Sequence, residues 1–151
     1  MAAGPDHQLG LACGGANGLI IDNHTGNPIP GGVLTGEGGA DEMWFNPGDN
    51  HYFFARTGAT ALGVVDAGPA PKLDPSASTA PGSHSVAADP HRNQVYVPIR
   101  GNTGVTPPFG TLCSKVKDVF GNVGSDALGC VAIYTAPRDK DDRRAERDDD
   151  R

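Results

Sequence analysis

The chain has 151 residues and a mass of 15.5 kDa, which corresponds to a single domain of ordinary size. Its 22 glycines and 13 prolines are about twice the usual share of these residues, and this composition excludes a helical bundle. A formal net charge of −6 is too small to keep a chain of this length unfolded by self-repulsion. We therefore expect a loop-rich all-β protein.

Neither a membrane nor a nucleic acid is an expected partner. No stretch approaches the 18 or more consecutive apolar residues of a membrane-spanning helix, and the first ten residues lack the features of a signal peptide. The last 14 residues, 138–151, are charged except for Ala145, but their six basic and seven acidic side chains nearly cancel. We expect this charged C-terminal tail to be solvated and mobile, with no basic surface for phosphate groups.

Short β-branched segments separated by turn residues predict a succession of strands. The first part of the chain is expected to form strands at 18–22, 29–34, 41–45, 52–55 and 62–66, with a turn at 23–27. A connection rich in Pro, Ser and Ala follows at 68–81. Further strands are expected at 83–88, 94–99 and 129–134, and the irregular segment 100–128 reads as an insertion between the last two.

Two parts of the chain resemble each other at a constant offset of 43 residues. Residues 41–55 align with residues 84–98, which places Pro47 on Pro90. Each proline follows an Asn or Asp and precedes an aromatic segment, so each copy predicts a strand, a tight turn and a second strand.

A second correspondence extends the repeat beyond this hairpin. Residues 19–22 match residues 63–66 at an offset of 44, and residues 130–134 form a third copy without the final Asp. We expect Asp22 and Asp66 to accept hydrogen bonds from turn amides.

A repeat of about 40 to 45 residues with about four short strands is typical of a β-propeller blade. The Val-Val-Asp strand at 64–66, the Asn-Pro and Asp-Pro turns and the segment Gln94-Val95-Tyr96-Val97 resemble the YVTN-type β-propeller repeats of bacteria and archaea. The resemblance covers about residues 18–135. It implies a partial β-propeller over 1–137, with blade-like repeats at about 18–66 and 83–135.

Two blades would not close a propeller, which normally has 4 to 8. They would leave apolar faces uncovered, and we expect these faces to carry Trp44, Phe45, Val64 and Val97. Three arrangements would cover them: the remaining blades of a larger propeller, a homo-oligomeric ring, or an irregular sandwich. The prediction favours a fragment of a larger propeller, and a truncated reading frame with no independent role is a further possibility.

The candidate ligand-binding residues are Asp41, Glu42, His84 and Ser85, which stand in pairs at equivalent repeat positions. The resemblance implies that they lie at the entry of innermost strands, around a central channel. Asp41, Glu42 and His84 are also candidate ligands for a divalent metal, the only cofactor that this set suggests. The alternative is that all four cap strand ends and face water. We expect Trp44 in the core, and His24, His51 and His91 at the surface.

The leading functional prediction is a non-catalytic propeller module that binds a protein or a small ligand. The alternative is a metal-dependent hydrolase of lactones or esters, resembling the propeller lactonases of the gluconolactonase type. No nucleophile elbow, phosphate-binding loop, zinc-protease motif or EF-hand occurs, so the common enzyme classes lose support.

Three cysteines, Cys13, Cys113 and Cys130, show no zinc-binding spacing. A disulfide between Cys113 and Cys130 would close the loop between them and stabilise the fold by roughly 3 kcal/mol. It would also indicate a periplasmic or extracellular protein. The alternative is free thiols in the cytoplasm.

Overall fold

The computed structural model describes residues 1–56, 61–79, 83–100, Cys113 and 129–135. These residues contain twelve β-strands and no α-helix, which confirms the predicted all-β class. It follows that none of the described residues belongs to a helix long and apolar enough to cross a membrane. The C-terminal tail and, apart from Cys113 and the ends of the flanking strands, the insertion at 100–128 lie outside the described residues.

The strands form three antiparallel sheets that follow one another along the chain. Sheet 1 contains β1 (Ala2–Ala3), β2 (Gln8–Leu11), β3 (Asn17–Asp22) and β4 (Pro28–Thr35) in that order. Sheet 2 contains β5 (Ala40–Asn46), β6 (His51–Arg56), β7 (Ala61–Asp66) and β8 (Lys72–Leu73), and β9 (Ala77–Ser78) also pairs with β7. Sheet 3 contains β10 (Ala87–Asp89), β11 (Gln94–Arg100) and β12 (Gly129–Thr135). Each sheet is a meander, in which consecutive strands are neighbours, except that β9 pairs with β7 and not with β8.

The hairpins of sheets 2 and 3 repeat with the offset that the sequence predicts. Asn46 pairs with His51 in one hairpin, and Asp89 pairs with Gln94 in the other, so both partners shift by 43 residues. The last residue of each turn, Asn50 in the first hairpin, has a positive φ, of 59° there and of 50° at its counterpart 43 residues later. Asn tolerates this left-handed conformation better than most residues, which explains its recurrence.

The turns after the third strands of sheets 1 and 2 also resemble each other. The carboxylate of Asp22 accepts hydrogen bonds from the amides of His24 and Thr25, and that of Asp66 accepts one from Gly68. These bonds confirm the structural role predicted for the two aspartates. In sheet 3 the corresponding position is Thr135, which pairs with Gln94 as Asp66 pairs with His51.

The three sheets stack face to face, and each has two distinct faces. We define the upstream face of each sheet by one residue of its second strand: Leu9 in sheet 1, Tyr52 in sheet 2 and Val95 in sheet 3. The downstream face is the opposite one, which carries Ile20 in sheet 1 and Phe53 in sheet 2. Because side chains alternate along a strand, residues of opposite parity fall on opposite faces.

The downstream face of each sheet packs on the upstream face of the next. Between sheets 1 and 2 the core contains Ile20, Leu34, Met43, Tyr52, Phe54 and Val65, all at most 2% exposed. Between sheets 2 and 3 it contains Phe53, Ala55, Leu62, Val86, Val95, Val97 and Ile99. The fold thus has two thin cores, each shared by two sheets.

The structure corrects the predicted unit boundaries. The strands at 18–22 and 29–34 belong to a sheet with β1 and β2, not to a unit that extends to residue 66. The described part of the chain therefore holds three sheets instead of two units. Val97, expected on an uncovered face, is fully buried between sheets 2 and 3. Trp44 is 41% exposed, which agrees with its expected place on an uncovered face and not with a place in the core.

Cys113 and Cys130 form a disulfide, with their Cα atoms 5.7 Å apart. Cys130 lies on β12, and Cys113 is buried in the core between sheets 2 and 3. The bridge therefore fastens a point within the insertion at 100–128 to the third sheet.

Candidate functional site

The connections of the three sheets divide between two ends of the stack. One end, which we call the turn end, holds short turns within the sheets, such as 47–50 and 90–93. The loop end holds the connection 36–39 between sheets 1 and 2 and the residues 83–86 that lead into sheet 3. Because loops that are not constrained by a tight turn carry most binding residues, the loop end is the first place to look for a site.

Asp41 and His84 meet at the loop end. Asp41 is the second residue of β5, and His84 precedes β10 in the neighbouring sheet. The imidazole Nδ1 of His84 lies within hydrogen-bond distance of the Asp41 carboxylate, and both side chains are about half exposed. Their common repeat position explains the contact, since equivalent positions on stacked sheets lie side by side. The contact fixes the ring orientation of His84 and leaves its Nε2 for another partner.

Glu42 and Ser85 stand next to this pair but have different environments. The carboxylate of Glu42 accepts a hydrogen bond of 3.1 Å from the backbone amide of Val86, so it ties β5 to the segment that leads into sheet 3. Ser85 is exposed, between His84 and the buried Val86. The four predicted site residues therefore share one edge of the loop end.

The predicted metal site is not formed by these residues. Within the described ranges, no group of three or more His, Cys, Asp or Glu side chains is placed to hold a metal ion. Asp41 and His84 come together, but the Glu42 carboxylate is turned toward the Val86 amide instead of completing a ligand set. The assignment of Asp41, Glu42 and His84 as joint metal ligands is thus corrected.

A buried ion pair at the loop end was not predicted from the sequence. Glu37, in the connection before β5, is only 5% exposed, and its Oε1 lies 3.3 Å from the guanidinium of Arg56. Arg56 also donates hydrogen bonds to the carbonyls of Gly36 and Ala61. Burial raises the pKa of Glu37, and the charge of Arg56 opposes that shift. The only signal in the sequence is a carboxylate flanked by glycines, which is too common to identify a buried pair.

The other oxygen of Glu37 is enclosed by backbone. Its Oε2 has no hydrogen-bond partner, and a Cβ built on Gly63 would lie 1.9 Å from it. Because position 63 is a glycine, there is room for this carboxylate between sheets 1 and 2. The ion pair orders the loop end by joining the connection 36–39 to the end of β6.

An apolar groove follows the first strands of the three sheets. It has a volume of about 520 Å³ and is lined by Met1, Ala2, Ala3, Met43, Trp44, Phe45, Pro47, Ala88 and Pro90. The indole of Trp44, 41% exposed, is the largest side chain on its surface. The groove is open because β1, β5 and β10 are the edge strands on this side of the stack.

His51 is more deeply embedded than a surface turn residue. Its Nε2 lies 2.9 Å from the Asp74 carboxylate and its Nδ1 lies 2.5 Å from the Asp49 carbonyl. Burial lowers the pKa of His51, but the hydrogen bonds to Asp74 and Asp49 and the charges of both carboxylates outweigh it and raise the pKa overall. His24 and His91 are exposed within turns, as predicted.

Comparison with known proteins does not assign the chain to a family. No protein-family model matches it, and no characterised protein is significantly similar to it in sequence. The functional argument therefore depends on the geometry described above.

Proposed function

We propose that the chain is a β-propeller repeat module that acts as a ligand- or protein-binding scaffold. The observation that carries the proposal is the stacking of three meander sheets, with the first strands β1, β5 and β10 side by side along one edge. Propeller blades are antiparallel sheets, typically of four strands, whose first strands surround a common axis. The hairpin register that repeats after 43 residues supports the resemblance to YVTN-type repeats.

The binding site in this proposal is the loop end at the junction of sheets 2 and 3. His84 offers an imidazole that the Asp41 carboxylate orients, Ser85 adds a hydroxyl, and Glu42 ties β5 to the segment that leads into sheet 3. These groups suit a ligand that both donates and accepts hydrogen bonds, such as a polyol or a sugar. The half exposure of Asp41 and His84 gives a ligand access to them.

Amide chemical shifts measured by NMR on isotope-labelled protein test this site. Small polyols and sugars are expected to shift the amides around Asp41 and His84, and His84→Ala is expected to abolish these shifts. His91→Ala provides the matched control, because His91 is an exposed histidine in a turn at the other end of the stack. Shifts that are absent, or that survive His84→Ala, would contradict the proposed site.

The metal-dependent hydrolase gains no support from the geometry, because Asp41 and His84 supply only two of the ligands that it needs. The Cys113–Cys130 disulfide does support an oxidising compartment, either the periplasm or the extracellular space. We therefore include export from the cytoplasm in the proposal.

A further inference from the structure

Two apolar faces of the stack remain without a covering sheet among the described residues. The first is the upstream face of sheet 1, which consists of Leu9, Leu11, Leu19, Ile21 and Val33. The second is the downstream face of sheet 3, which consists of Tyr96, Pro98, Val131 and Ile133. Val33, Val131 and Ile133 are each more than half exposed.

The uncovered face of sheet 1 is equivalent to the face by which a sheet packs on its predecessor. Leu9 and Leu11 correspond, at an offset of 43, to Tyr52 and Phe54, which are buried against sheet 1. Ile21 corresponds, at the offset of 44 found for the third strand, to the buried Val65. In sheet 3 the same positions are Val95, Val97 and Tyr134, which pack on sheet 2.

The uncovered face of sheet 3 is equivalent to the face by which a sheet packs on its successor. Tyr96 and Pro98 correspond to Phe53 and Ala55, which are buried against sheet 3. The register of the last two strands extends the match, because Ile133 is paired with Tyr96 as Val64 is paired with Phe53. Val131 lies opposite Pro98 on the same face.

The two uncovered faces are therefore the two halves of one interface that the chain already forms twice internally. We propose that copies of this chain associate head to tail, with the upstream face of sheet 1 in one copy packed on the downstream face of sheet 3 in the next. This inference rests on the proposed blade-type scaffold and names its partner as a second copy. Such a heterologous contact closes into a ring when the rotation per copy allows it.

The first test is the mass of the intact chain in solution, measured by light scattering at micromolar concentrations. We expect a discrete multiple of the 15.5 kDa chain mass. A monomer with a fully formed β-sheet circular dichroism spectrum would overturn the inference. A monomer would not contradict the proposed loop-end site, because the NMR titration reports on Asp41 and His84 in a monomer as well as in an oligomer.

A pair of charged variants tests the head-to-tail arrangement. Ile21→Asp blocks the upstream face and Ile133→Asp blocks the downstream face, so each variant alone is expected to be monomeric. A mixture of the two still has one intact face of each kind and is expected to form a one-to-one dimer. Leu73→Asp is the matched control, because Leu73 is 45% exposed on the outer strand β8 and belongs to neither end face.

Two outcomes of the mixing experiment would reject the arrangement. If either charged variant still self-associates, the contact joins two identical faces instead. If the folded variants fail to dimerise when mixed, the two faces are not complementary. Circular dichroism of each variant establishes that it is folded before mixing, and the measurement on the unaltered chain does not depend on them.

Discussion

Some charged side chains at the loop end are buried, so replacing their partners is expected to change the stability of the fold. Glu37 is the clearest case, because its carboxylate is enclosed between sheets 1 and 2 with Arg56 as its counter-ion. A carboxylate that loses such a partner stays buried and unpaired, which costs far more than the loss of an exposed ion pair.

Arg56→Met is therefore expected to lower the free energy of unfolding by about 3 kcal/mol at neutral pH. The loss should shrink as the pH falls toward the raised pKa of Glu37, because protonation removes the uncompensated charge. Urea denaturation as a function of pH measures both effects. Arg92→Met is the control, since the Arg92–Asp89 pair lies at the surface and its loss should change stability little. Equal effects of the two substitutions would contradict this account.

His51 gives a pH dependence of the same sign, because a pKa that is raised in the folded state makes stability fall as the pH rises. Its pKa is raised above the ordinary value of 6.5, so its contribution is fully present below that value and is lost as the pH rises through the folded-state pKa. We expect stability to fall in this range by at most about 1.4 kcal/mol per pH unit, the slope for one proton. Burial also raises the pKa of Asp49, and the charge of His51 opposes that shift.

The variant His51→Gln is expected to flatten this pH profile, because glutamine does not titrate. It suits the site, since Gln8 and Gln94 occupy the equivalent positions in the other two sheets. Thermal unfolding at a series of pH values provides the measurement, with His91→Gln as the control for an exposed histidine. A profile that is unchanged in His51→Gln would show that another group is responsible.

At the scale of single elements, the hairpin turns stack on one another at the turn end. The side-chain amide of Asn46 donates a hydrogen bond of 2.9 Å to the carboxamide oxygen of Asn93, and its own oxygen accepts one from the amide of Gly48. Asn46 is completely buried by this arrangement. The contact between the two turns therefore fixes the position of sheet 2 relative to sheet 3. Nondirectional contacts in the hydrophobic core alone would not fix it.

Gly48→Ala is expected to disturb this contact. A Cβ at Gly48 would lie 2.4 Å from the carbonyl oxygen of Pro90, and backbone cannot move aside cheaply. We expect a loss of about 1 to 3 kcal/mol in the free energy of unfolding, the range for overpacking. Gly14→Ala is the matched control, because nothing lies within 4 Å of the corresponding Cβ. If both variants unfold at the same denaturant concentration, the turns do not stack in this way.

The disulfide links an element to the rest of the fold. Replacing Cys113 and Cys130 together by alanine is expected to cost roughly 3 kcal/mol, since the bridge closes a loop of 17 residues. Addition of a reductant should lower the melting temperature of the natural chain and leave that of the double variant unchanged. The variant Cys13→Ser serves as the control for the cysteine outside the bridge. Equal sensitivity of all three proteins to reductant would refute the prediction.

For the whole molecule, the stacking of sheets explains why the described residues form two thin cores and leave two apolar end faces without a covering sheet. A globular sandwich would bury its apolar faces inside, whereas a repeat stack leaves one at each end. In the proposed head-to-tail contact, the two end faces form the interface between copies. This arrangement places the loop-end sites of successive copies on the same side of the assembly.

Local sequence predicted the strands β3 to β7 and β10 to β12, but not β1, β2, β8 or β9. The offset of 43 residues and the two aspartates that accept hydrogen bonds from turn amides were predicted without a structure. Each of these features depends on neighbours within one hairpin, and the alternation of side chains along a strand is set by backbone geometry. The all-β class and the hairpins were therefore predictable.

The grouping of strands into sheets was settled by long-range contacts. The strand at 18–22 has the same apolar pattern whether it pairs with β2 or begins a unit that extends to residue 66, and only the tertiary structure selects the first. The burial of Glu37, the exposure of Trp44 and the turning of Glu42 toward Val86 depend likewise on a neighbouring sheet. Because a strand's pattern records how much of it is buried but not what covers it, these features had to be read from the fold.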